Sequence, residues 1–245
     1  MTWLPQLAPW QWAVGLVCAF SVGVSKTGVP GLGILVVPLM VLAVGDARQS
    51  AGWLLPVLCT ADLFAVWYWR KNTAAKRMFS LAPWVLAGMG LGTAALSLSE
   101  RALRPMVGII VLAMLALYVR RRLRAHQVEV PVYGAPYGVA AGFATTVANA
   151  AGPVMSLYLL SKRLSKADFV ATGAWFFFVI NLTKIPIYTA HGLIGRYSLA
   201  FDAAMAPAVL AGALAGRWLV YRIPQKLFET LVVGLTALST LMLFK

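Results

Sequence analysis

Long runs of apolar and uncharged residues, separated by short basic clusters, make up almost the whole chain. Thr2 to Ser25 and Thr27 to Gly45 carry no charge, Ala51 to Trp69 carries only Asp62, and Met78 to Leu98 carries none. About 20 predominantly apolar residues suffice for a helix to cross hydrocarbon. Spans are therefore expected at 51–69, 78–98, 169–188, 197–216 and 227–244, the third carrying Lys184 and the fourth Asp202 near its start. The run at 105–119 is shorter, but Arg120, Arg121, Arg122 and Arg124 follow it, and their stems can snorkel to the headgroups.

Two further runs are interrupted near their middles. In the first, covering 10–44, the break holds Lys26, Thr27, Gly28, Pro30 and Gly31; in the second, covering 132–161, it holds Asn149, Ala150, Ala151, Gly152 and Pro153. Lipid cannot satisfy the amides and carbonyls of irregular backbone, so such breaks must line a cavity or pack against protein. Each run reads as a broken helical hairpin, crossing fully or re-entrant, that returns the chain to the side it came from.

Composition agrees with a polytopic membrane protein: 61% of residues are hydrophobic, only 11% are charged and mean hydropathy is +0.80, against roughly 25% charged in soluble domains. The first basic residue is Lys26, so the basic n-region of a signal peptide is missing and the mature chain is expected to start near Met1. Cys18 and Cys59 lie in apolar runs without CxxC or His-rich spacing, which suggests packed thiols rather than a disulfide frame or metal site. The net charge of +14 sits in segments between apolar spans, where topology rather than nucleic-acid binding places it. Trp10, Trp67, Tyr133, Trp218 and Tyr221 fall near span ends, as an interfacial aromatic belt requires.

Shifted onto itself by about 123 positions, the chain superimposes Phe20 on Phe143, Lys26 on Asn149 and Pro30 on Pro153; with one gap, Asp46 meets Asp168, Trp53 meets Trp175 and Asp62 meets Lys184. Hairpins do not change sides, so the three single spans of each half set the parity. One side then receives 14 of the 21 basic residues, among them Arg70, Arg120, Lys166, Arg217 and Lys226, and the other only Arg48, Arg101, Arg104, Arg196 and Lys245. The positive-inside rule makes the first side cytoplasmic, places both termini outside, and makes the repeat inverted. The expected fold is an all-α polytopic membrane protein of two inverted halves, 1–124 and 125–245, each a broken hairpin plus three transmembrane helices.

Inverted broken hairpins direct half-helix N-termini at a midplane site in secondary transporters. Here Lys26 adds a charge, Thr27 a hydroxyl and Asn149 an amide, while Gly28, Gly31 and Gly152, with Ala150 beside them, let backbone approach a small anion. Lys184 and Asn181 on one span and Asp62 on another are polar groups at membrane depth that should face the interior. Asp62 either pairs with a lysine or carries a coupling proton, and the cost of a lone carboxylate there favours the pair. Against these readings, Lys26 reaches the headgroups if its hairpin crosses fully, and Lys184, followed by Pro186 and Tyr188, reaches an interface. His126 and His191 have no metal-spaced partner and read as solvated or interfacial; Asp46 and Asp168, at span starts, suit helix N-termini. No nucleophile–base pair, metal cluster or haem motif appears, so no catalytic residue, metal or cofactor is expected.

The stretch Gly23-Val-Ser-Lys-Thr-Gly-Val-Pro-Gly-Leu-Gly-Ile-Leu-Val-Val-Pro38, with Trp175-Phe-Phe-Phe-Val-Ile-Asn-Leu-Thr-Lys-Ile-Pro-Ile-Tyr188 and Gly192-Leu-Ile, resembles the TauE/SafE family of sulfite and organosulfur anion transporters over nearly the whole chain. Many members carry consecutive glycines at the first break, where this chain has Lys26, Thr27, Val29 and Pro30. The resemblance implies a multi-pass carrier in the cell (inner) membrane for sulfite, thiosulfate or an organosulfonate; alternating access with the anion at the hairpin tips is the expected mechanism, and whether a coupling proton or cation accompanies it is left open by these residues. A passive anion channel on the same fold and a membrane-embedded enzyme of sulfur metabolism are the alternatives.

Overall fold

The computed structural model describes residues 4–30, 32–34, 36–70, 80–95, 105–106, 109–110, 112–113, 115–116, 119–120 and 133–242. Gly31, residues 121–132, the ends of the expected spans 78–98 and 227–244 and part of 105–119 lie outside the described residues. Among the described residues all regular structure is helical. The order is α1 (Pro9–Thr27), a 3-10 turn (Leu32–Ile34), α2 (Val36–Val44), α3 (Ala47–Trp69), α4 (Ala82–Ala95), α5 (Gly134–Ala148), α6 (Ala151–Ser161), α7 (Lys166–Ala190), α8 (Arg196–Arg222) and α9 (Gln225–Met242). The described residues between 105 and 120 are helical too. By length and composition α3, α7 and α8 are able to cross a membrane.

These helices begin at caps rather than where apolarity begins, so α3 and α7 extend beyond the expected spans. The Asp46 carboxylate accepts from Gln49 N at 2.7 Å, and the Ser165 hydroxyl accepts from Asp168 N at 3.2 Å, each filling a donor that a helix N-terminus leaves open. Asp168 accepts in turn from that hydroxyl at 2.8 Å, so both acids stand at helix starts. At the other end of α8, Lys166 Nζ donates to the carbonyls of Val220, at 3.0 Å, and Ile223, satisfying acceptors of the last turn.

Helix α1 packs along α8, α5 along α4, and α3 against both α7 and α8. Lipid offers no hydrophobic drive for such pairs, so they depend on close backbone approach through small residues. The two long pairings use the same string: Ala82-Pro-Trp-Val-Leu-Ala-Gly88 on α4 and Ala206-Pro-Ala-Val-Leu-Ala-Gly212 on α8, followed four residues later by Gly92 and Gly216. A Cβ on Gly212 would lie 2.1 Å from the carbonyl oxygen of Phe20, and one on Gly88 2.1 Å from that of Val139. The opposite faces are apolar and exposed, with Leu199, Leu210, Leu214 and Trp218 on α8 and Leu86 and Leu91 on α4, as a lipid-facing surface must be.

Backbone contact at these glycines leads to a direct expectation. Gly212→Val should destabilise the protein by about 1–3 kcal/mol through overpacking, at roughly 2–4 °C per kcal/mol. Gly90→Ala, where a Cβ meets nothing within 4 Å, should leave the melting temperature unchanged or slightly raised, since alanine favours helix. Thermal unfolding of both variants in detergent checks this; an unchanged Tm for Gly212→Val would mean that α1 and α8 do not meet there.

Candidate functional site

The polar centre is built on α3. Asp62 is fully buried and faces the last turn of α1 and the middle of α7. Its Oδ1 lies 2.8 Å from Lys26 Nζ, and its Oδ2 accepts from Asn181 Nδ2 at 2.6 Å. Among the described residues no donor other than this ammonium reaches Oδ1. Lys26 is 11% exposed against 0% for Asp62, so the lysine stands between the carboxylate and open space. Its ammonium also lies 4.1 Å from the centre of the Phe177 ring, a cation–π contact that steadies it.

A second pair lies beside the first. Lys184, fully buried on α7, donates to Oδ1 of Asn149. Asn149 occupies the tip between α5 and α6 in a left-handed conformation, φ 51° and ψ 25°, which asparagine tolerates better than most residues. This turn lets Asn149 N donate to Thr145 O at 3.1 Å and Ala150 N to Ala144 O at 3.0 Å, closing the end of α5 as a Schellman cap does. The Asn149 amide also donates to Ala51 O on α3 at 3.4 Å. Among the described residues no carboxylate lies within ion-pair distance of Lys184, and a buried cation without a counter-ion is costly.

Both pairs border a cavity of about 90 Å³, large enough for a small ligand or several waters. The first hairpin contributes Ser25, Lys26, Pro30 and Gly33, and the second contributes Thr145, Asn149, Gly152 and Ser156. From α7 come Phe169, Gly173, Phe177, Asn181 and Lys184, so the space runs along that helix from Lys184 to near its N-terminal end.

Of the residues singled out in the sequence, Lys26, Asn149, Gly152, Asn181 and Lys184 share this cavity. Thr27 is turned away: its hydroxyl is shared between Gly23 O at 3.0 Å and Ala213 O at 2.7 Å on α8. Gly28 meets α8 as well, since a Cβ there would lie 2.1 Å from Gly216 O. Ala150 is buried in the cap, Asp62 stands behind Lys26, and Gly31 is outside the described residues. Phe177, Gly173, Thr145 and Ser156 were not singled out. Helical spacing carries the signal for three of them, because Gly173, Phe177, Asn181 and Lys184 form one stripe of α7, and Ser156 follows Gly152 by one turn.

Cys18 is buried and Cys59 partly buried, both as free thiols. No group of three or more His, Cys, Asp or Glu close enough to hold a metal ion occurs among the described residues. The arrangement offers two ammonium groups, one of them without an anionic partner, together with amide and hydroxyl donors around a small space. These are the parts of an oxyanion site.

The sequence profile of the sulfite exporter TauE/SafE family matches residues 14–243. No curated protein sequence and no solved structure gives a significant match. The profile match covers the second hairpin, all but the first few residues of the first, and every residue of the cavity. The chain therefore belongs to the TauE/SafE sulfite exporter family, a family of membrane transporters and not of enzymes.

Proposed function

We propose that this membrane protein is a secondary transporter for a small sulfur-containing anion, sulfite, thiosulfate or an organosulfonate, held between the tips of the two hairpins. The observation that carries this reading is the convergence of Lys26 from the first hairpin, Asn149 from the second and Lys184 from α7 on one cavity among spanning helices. The substrate contacts are Lys26, Lys184 and Asn149, with the Asn181 amide nearby and Gly152 allowing close approach. Asp62 holds Lys26 in place.

Alternating access rests on the inverted repeat, comprising 1–124 and 125–245, which three features support. The residues aligned in the sequence pair in the same way: Lys26 with Asp62 in the first half, Asn149 with Lys184 in the second. The first arm of each hairpin packs along the fourth helix of the opposite half, α1 on α8 and α5 on α4. Those two partner helices share their Ala-Pro-x-Val-Leu-Ala-Gly string. With the positive-inside rule, the N-terminal end of α7, next to Lys162 and Arg163, is cytoplasmic and both termini lie outside the inner membrane. The cavity extends toward that end of α7, as a site exposed to the cytoplasm does.

Reconstituted protein should take up sulfite or an organosulfonate saturably, and Lys184→Ala should lower uptake roughly tenfold or more, the equivalent of one charged hydrogen bond. Wild-type uptake in that variant would remove Lys184 from the site; linear, non-saturating flux would indicate a channel instead. Orientation is tested separately. In a background without Cys18 and Cys59, cysteines at Arg70 and Lys226 should label from the cytoplasm and one at Arg196 from outside, and Arg70 and Lys226 labelling from opposite sides would break the inverted arrangement.

A further inference from the structure

We infer that the site selects its anion by charge count: a singly charged sulfonate binds alone, and a doubly charged sulfur oxyanion binds together with one proton, which goes onto Asp62. This rests on the anion site proposed above and names the chemistry of its occupants. With Lys26, Lys184 and Asp62 ionised, the centre carries a formal +1. Asp62 and Lys184 are fully buried and Lys26 nearly so, and each uncompensated charge in such a place is expensive. A monoanion brings the centre to zero. A dianion overshoots to −1 unless a proton accompanies it.

Among the described residues the surroundings leave one acceptor for that proton. On α1 the facing group is the Lys26 ammonium; on α7 they are the Asn181 amide and the Lys184 ammonium; at the hairpin tip it is the Asn149 amide. On α3 itself Cys59 is a thiol, and on α8 Asp202 is held by the Thr60 hydroxyl at 3.1 and 3.2 Å and is not part of the cavity wall. Asp62 lies behind Lys26 and Asn181, both of which line the cavity; departure of the ammonium leaves its Oδ1 without a donor, while Oδ2 stays on Asn181. As a dianion enters, the Lys26 ammonium swings from Oδ1 to the anion. An O–H bond forms at Oδ1 with a proton from the solution that admits the ligand, and nothing is oxidised or reduced. Release of the anion reverses both steps. Either kind of substrate then moves with the same net charge of one.

The test is calorimetric titration of the wild-type protein, in buffers of different ionisation enthalpy, with methanesulfonate as the monoanion and thiosulfate as the dianion. Sulfite is left out because it exchanges its own proton near neutrality. Thiosulfate should take up one proton per site and its Kd should rise about tenfold per pH unit; methanesulfonate should take up none. Asp62→Asn should abolish the thiosulfate proton, Asp62→Glu should restore it, and Asp202→Asn should leave it in place. Equal proton counts for the two anions in the wild type overturn the inference but not the anion site, whatever the variants do. Thiosulfate refused at every pH while methanesulfonate binds has the same meaning, and so does proton uptake that persists in Asp62→Asn. Failure of both anions to bind overturns the anion site and the inference with it.

Discussion

The buried ion pair between Lys26 and Asp62 is the constraint around which this structure is arranged. A carboxylate in the middle of α3 is tolerable at membrane depth only with a cation and a hydrogen-bond donor against it, and α1 and α7 each deliver one. That requirement fixes where α1 must stop, because Lys26 reaches Asp62 from the helix's last turn, one residue before Thr27 ends it. The glycine contacts between α1 and α8 then hold the arm in register. Charge compensation therefore determines the hairpin geometry, and the packing conforms to it.

Irregular backbone in lipid must find partners for its amides, and among the described residues the two hairpin tips do so by different local means. In the first, α1 ends with Gly28 N and Val29 N both donating to Val24 O, and a 3-10 turn leads into α2. In the second, a single left-handed asparagine reverses the chain. This turn also aims the Asn149 side chain, so the residue that satisfies the backbone is the one whose oxygen receives Lys184. Deleting Asn149 would therefore disturb the turn and its contact with Lys184 together.

Much of this was legible in the residues themselves. A charge inside an apolar run must find a partner, which made Lys26, Asp62 and Lys184 stand out, and aligning the halves placed Lys26 on Asn149 and Asp62 on Lys184. Helix phase was not weighed for Thr27: one residue beyond Lys26 is a turn of about 100°, enough to direct the hydroxyl at α8 instead of the cavity. Gly28 read equally well as room for a ligand or room for a helix, and only the position of Gly216 decides between them. The shared string of α4 and α8 was visible too, but it lies one residue further out of register than the hairpins. Hydropathy cannot show where α2 and α6 begin, since the apolar run continues through the break.

The two polar pairs differ in charge. In the first, the lysine of the hairpin meets a carboxylate and the pair is neutral; in the second, an asparagine stands in the hairpin and the lysine has moved to the long helix, so the pair is positive. A symmetric arrangement of two neutral pairs would give a ligand nothing to compensate. Two positive pairs would leave two uncompensated cations in the empty protein, and the penalty for one is already several kcal/mol. The mixed arrangement keeps the empty site one charge from neutrality, with Lys26 tethered to Asp62 yet opening onto the cavity. In the proposed site an anion relieves the unpaired Lys184 at once and reaches Lys26 only by displacing a carboxylate. On that proposal the neutral pair, rather than the charged one, is the element that distinguishes one anion from another.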